Sequence, residues 1–147
     1  MKRDTPLAML GGLTARQFLE EYWQKKPLLV RNALPGFTGL LSRDEMLTLA
    51  EDEEVESRFV SQAGGQWTID HGPFLRRRLS RTAKPWTVLV QGLNMLLPAA
   101  DEMMRRFNFI PYARLDDLMV SYATDGGGVG PHFDSYDVFL LQGMGKR

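Results

Sequence analysis

Apolar residues along this chain fall into blocks whose spacing switches between helical and extended. From Thr14 to Lys25 the residues Phe18, Leu19, Tyr22 and Trp23 recur at helical intervals, with Thr14 at the N-cap position. Pro27 closes that segment, and Leu28-Leu29-Val30 predicts a short strand. Pro35-Gly36 marks a turn. Ser42 and Glu45 then form a capping-box pattern, opening a helix with Met46, Leu47 and Leu49 on its apolar side. That helix should fade in the acidic run from Glu51 to Glu56.

Beyond it, Arg58 to Gln62 predicts a strand, Gly64-Gly65 a hairpin turn and Gln66 to Ile69 the return strand. His71-Gly72-Pro73-Phe74 is expected to be a loop. Trp86 to Gln91 is rich in β-formers and is expected to be buried. Leu93 to Phe107 predicts a helix broken at Pro98, with Met95, Leu96, Met103 and Met104 as core candidates. Trp23, Trp67 and Trp86 are also read as core.

The texture then changes. Leu115 to Tyr122 predicts a strand, and 125–131 carries four glycines and a proline, which exclude helix and permit a tight loop. His132 to Gln142 resumes as extended chain. Helices with short strands come first and mostly strands follow. The expected class is α+β, its second half opening a β-barrel or sandwich. The start, Met1 to Leu13, is expected to be flexible.

Composition narrows the function classes. The 147 residues carry eighteen basic and eighteen acidic side chains, so no global field points to nucleic acid or a membrane. The absence of cysteine removes disulfides, thiolate metal sites and cysteine nucleophiles, and fits a cytoplasmic protein. No apolar run approaches membrane-spanning length. The chain stops soon after a strand pattern and a turn signal, so it is expected to be part of a longer one.

The chemistry centres on His132 and Asp134. On a strand, residues two apart point to one face, so an imidazole and a carboxylate converge there. Two ligands of a facial Fe(II) triad need that arrangement, with positions left open for cosubstrate and oxygen. The tripeptide alone is short enough to arise by chance, and on the residues alone both readings stand. His71, the other histidine, fits a loop turn better than a ligand. Arg147 could clamp a dicarboxylate with its planar fork, although a chain end is ordinarily solvated. Asp116-Asp117 suits a cationic side chain or a strand edge facing water. Arg76-Arg77-Arg78, with Arg81 and Lys84, suits an acidic partner such as ribosomal RNA or a solvated face, and zero net charge favours the latter.

Three stretches together resemble a known family: Asp116 to Tyr122, Gly126 to Asp134, and Tyr136 to Gly143. They are similar to the bacterial JmjC-type ribosomal oxygenases, in particular those that hydroxylate an arginine of large-subunit ribosomal protein sixteen. Phe18-Leu19-Glu20, Trp23 to Pro27, Ser57-Arg58 and His71 to Phe74 agree. The resemblance runs from about Leu13 onward.

It implies an N-terminal helix and strand region, about 1–90. The opening strands of a double-stranded β-helix, a cupin-like jelly roll, would follow over 91–147, with the barrel incomplete. It implies a 2-oxoglutarate-dependent Fe(II) dioxygenase that hydroxylates an arginine side chain and releases succinate and CO2. His132 and Asp134 match the first two iron ligands, Arg147 the residue pairing with the distal carboxylate of 2-oxoglutarate, and Asp116 and Asp117 the region that holds the substrate guanidinium. The family's third ligand, a later histidine, is absent from this sequence, so this piece is expected to be inactive and its parent, a homodimer, active. The rival expectations are a related oxygenase with another protein substrate and a non-catalytic cupin-like interaction module.

Overall fold

The computed structural model describes residues 4–81 and 85–146. They form two compact units, one of residues up to 39 with 108–111 and 133 onward, the other of 40–107 with 112–132.

In the first unit, residues 4–13 are ordered rather than irregular. Pro6 bridges Thr14, and a 3-10 turn at Ala8–Leu10 buries Leu10. Helix α1 spans Ala15–Glu21, started by a reciprocal cap: the Gln17 amide donates to the Thr14 hydroxyl (3.1 Å), and the Thr14 amide donates to the Gln17 side chain (2.9 Å). The helix ends short of Lys25 because Gln24 takes a left-handed conformation, and the Lys25 and Lys26 amides both turn back to the Tyr22 carbonyl. Leu28-Leu29-Val30 forms no strand, having no ladder partner among the described residues. The packing of this unit is aromatic. Phe18 meets Phe139 and Phe109 at ring-centroid distances of 5.8 and 5.9 Å, and Trp23 stacks on Phe139 at 5.9 Å.

In the second unit, α2 spans Arg43–Leu49 behind the Ser42/Glu45 capping box and buries Met46 and Leu47. Strands β1 (Ser57–Ala63) and β2 (Gln66–His71) form a hairpin on Gly64 and Gly65, both at positive φ. Helix α3, Arg76–Arg81, was not foreseen from the arginine run. Strand β3, Trp86–Val90, is buried at all five positions. Helices α4 (Leu93–Leu96) and α5 (Pro98–Arg105) follow, with Pro98 starting α5 where its missing N–H is harmless. Strand β4 is only Val120–Ala123, because the preceding residues bond sideways: the Leu118 amide donates to Asn94 Oδ1 and its carbonyl accepts from the Leu93 amide, both 2.9 Å.

The four strands form one antiparallel sheet in the order β2-β1-β3-β4. One face carries Phe59, Trp86, Val88 and Val90 against Met46, Leu47, Phe74, Leu79 and Leu93. This is the α+β class expected. Three core assignments fail. Met95 and Leu96 are 80% and 41% exposed because α4 ends after one turn, and Trp67 is 36% exposed on the edge strand β2. His132 to Gln142 carries no ladder among the described residues, so the strand expected there is absent.

Candidate metal site around His132

The glycine loop that precedes His132 is fixed at both ends by the sheet. At its start, the Thr124 amide donates to the Trp86 carbonyl and the Trp86 amide to the Thr124 hydroxyl, both 3.0 Å. The Gly127 amide then donates to the Thr124 carbonyl (2.7 Å), turning the chain away from β4. At its far end the backbone runs over the Trp67 indole. A Cβ on Gly130 would lie 3.2 Å from Cδ2 and Cε2 of Trp67, and one on Gly128 would lie 3.6 Å from Cη2. Gly130 also sits at φ +77, a conformation L residues rarely adopt.

His132 Nδ1 lies 3.0 Å from the Gly130 carbonyl oxygen. A carbonyl can only accept, so Nδ1 carries the proton, and in the neutral ring Nε2 carries the lone pair. Metal-ligating histidines commonly hold the second ring nitrogen in this way. Both His132 and Asp134 are exposed. One imidazole nitrogen and one carboxylate suit Fe(II) chemically. Among the described residues, no three His, Cys, Asp or Glu side chains converge in a metal-binding group.

The remaining candidates are dispersed. Asp117 Oδ2 accepts from the Gly92 amide (2.7 Å), which ties the approach to β4 to the start of α4. Asp116 is exposed. Arg147 lies outside the described residues, as does Lys84. His71 closes β2 and pairs with Arg58 across the hairpin. In the basic cluster, Arg76 faces Glu51 at 3.8 Å and bonds Thr48, while Arg78 pairs with Asp70. A cavity of about 330 Å3 lies at Pro73, Phe74, Leu75, Arg77 and Arg78, and His132, Asp134, Asp116 and Asp117 are not among its lining residues.

Perturbed acidities also lie elsewhere. The Tyr112 hydroxyl, and next the Arg105 guanidinium, hold the Asp101 carboxyl below the usual range, and Ser42 does the same for Glu45. Sequence reading missed Trp67. Nothing in a single sequence links a hairpin tryptophan to a distant glycine loop.

Residues 102–147 match the JmjC domain. The chain is 44% identical over 131 residues to the ribosomal protein uL16 3-hydroxylase of Escherichia coli, covering 88% of this chain and 35% of that protein. It is 41% identical over 136 residues to a probable ribosomal oxygenase of Haemophilus influenzae, covering 92% of this chain and 34% of that protein. Among solved structures it resembles the E. coli ribosomal oxygenase YcfD in complex with cobalt and 2-oxoglutarate, with TM-score 0.76 and 42% identity over 84% of this chain and 34% of YcfD. The chain therefore spans about a third of the length of the curated relatives it matches. The likeness identifies the chain as related to the JmjC ribosomal oxygenases, and the sheet with its helices as part of their fold.

Proposed function

We propose that the protein to which this chain belongs is an Fe(II)- and 2-oxoglutarate-dependent oxygenase that hydroxylates an arginine side chain of ribosomal protein uL16. The observation that carries the reading is the His132 ring. Its Nδ1 is held at 3.0 Å by the Gly130 carbonyl, within the stretch that matches the JmjC domain. The relatives support the rest: one is named for uL16 hydroxylation, and another was solved with cobalt and 2-oxoglutarate.

In this reading His132 Nε2 and the Asp134 carboxylate are two of the iron ligands. Iron with 2-oxoglutarate supplies oxidising power: O2 and 2-oxoglutarate are consumed, succinate and CO2 leave, and one oxygen atom enters a C–H bond of the substrate. Arg147 clamps the distal carboxylate of 2-oxoglutarate by a charge-assisted fork. Asp116, exposed, is the member of the acidic pair better placed to meet a substrate guanidinium, since Asp117 already holds the Gly92 amide. The 147 residues alone offer one imidazole and one carboxylate at this site, and two protein ligands hold iron weakly, so they are expected not to turn over 2-oxoglutarate. A ribosomal substrate supports a cytoplasmic location for this protein. No helix of the described residues is long and apolar enough to cross a membrane.

The test is to incubate the intact protein with Fe(II), 2-oxoglutarate, O2 and uL16, and to map the product by mass spectrometry. Addition of one oxygen atom on an arginine is expected. Oxygen on another residue type would overturn the arginine assignment, and no 2-oxoglutarate-dependent oxidation would overturn the enzyme reading.

A further inference from the structure

We infer that Trp67 is a positioning residue for His132. Its indole seats the glycine loop, so that the Gly130 carbonyl locks His132 as the Nδ1–H tautomer and leaves Nε2 to bind metal. The inference rests on the reading of His132 as a ligand, and it adds the residue that makes the ring suitable for that task.

Three observations converge. Gly130 and Gly128 both bring their backbone against one indole, with Cβ positions 3.2 and 3.6 Å away, so a side chain at Gly130 would press into the ring. The atom two bonds beyond that contact, the Gly130 carbonyl oxygen, meets His132 Nδ1 at 3.0 Å. Trp67 itself sits on the sheet's edge strand, 36% exposed and outside the hydrophobic core cluster, so burial alone does not account for so large a side chain there. A loop with four glycines has wide conformational freedom, and a carbonyl within it fixes an imidazole only if something fixes the carbonyl. The rigid flat indole does so, and the anchor at Thr124 holds the other end.

The chain has two histidines, so 15N-histidine labelling resolves the question by NMR, with His71→Gln assigning the signals. Spectra taken at alkaline pH report the neutral tautomer. The full chain should show His132 protonated at Nδ1. Trp67→Ala should move it toward the Nε2–H form that unrestrained histidine favours, and Trp67→Phe, which keeps a flat ring, should restore Nδ1–H. Gly130→Ala perturbs the same contact from the loop side and should act like Trp67→Ala; it carries the test if the tryptophan variant does not fold. An unchanged Nδ1–H tautomer in a folded Trp67→Ala or Gly130→Ala chain overturns the inference, even if the melting temperature falls. A second arm titrates Co(II) into the intact protein. Loss of the supporting contact should weaken binding about 10- to 100-fold. A tautomer shift in Trp67→Ala would establish the coupling, and Co(II) affinity left unchanged by His132→Ala would refute His132 as a ligand, which separates failure of the proposed function from failure of this inference.

Discussion

Strand β3 and the stretch from Pro131 to Gly145 look alike in sequence, both being apolar, extended and rich in aromatic or β-branched residues, yet they fold in opposite ways. Strand β3 pairs on both sides, with β1 and β4, and all five residues are buried. The later stretch has no ladder among the described residues and leaves Phe133 90% exposed, although Phe139 joins the aromatic packing of its own unit and Gly143 lies backbone to backbone on Gly39. Sequence pattern specifies extended backbone, whereas a strand also needs a partner, and the partner is a property of the fold. The contrast has a functional side. The laddered region supplies rigidity, and the candidate ligands lie outside it, on the chain that follows the glycine loop.

The division of labour can be broken at its strongest point. Trp86→Ala removes a 4%-exposed ring that packs on Phe59 and Tyr122, and should cost about 3–5 kcal/mol by chemical denaturation. Phe133→Ala, the matching change in the extended stretch, should stay within about 0.5 kcal/mol. Comparable losses from the two would erase the distinction. Ser42→Ala, which deletes the cap of α2, should cost about 1 kcal/mol. Threonine at the same position should recover most of it, since its hydroxyl can accept the same amide.

The smallest effect sharpens the comparison by pH. Asp101 is held below its usual acidity range by Tyr112 and then Arg105. A carboxyl with depressed folded-state pKa adds stability above its unfolded value and loses it as pH falls through the folded value. The melting temperature should therefore drop slightly more in wild type than in Asp101→Asn below the ordinary carboxylate range. The carboxylate is exposed, so added salt should shrink the difference, and a difference that survives salt would contradict screening.

Local rules made much of the fold legible. The Thr14 N-cap, the Ser42/Glu45 capping box, the Gly64-Gly65 hairpin and the Pro98 break stand where residue chemistry put them, because each is decided within a few residues. Helix α3 was missed because a run of arginines carries no apolar period; its buried residue, Leu79, is a single signal. Trp67, Met95 and Leu96 are not core, since hydropathy marks a residue as apolar without saying which surface it meets. His132 and Asp134 were legible as candidates from their spacing, but the strand expected to turn both to one face is absent among the described residues. What the sequence could not show was that a carbonyl two residues back fixes the histidine tautomer, because that depends on how the loop lies on a strand distant in the chain.

The most direct test of the central claim is 2-oxoglutarate turnover by the intact protein carrying His132→Ala, measured beside its melting temperature. Turnover should vanish while the melting temperature stays within a few degrees of wild type, since His132 is exposed and outside the core. Retained turnover in the folded variant would remove His132 from the ligand set and contradict the account.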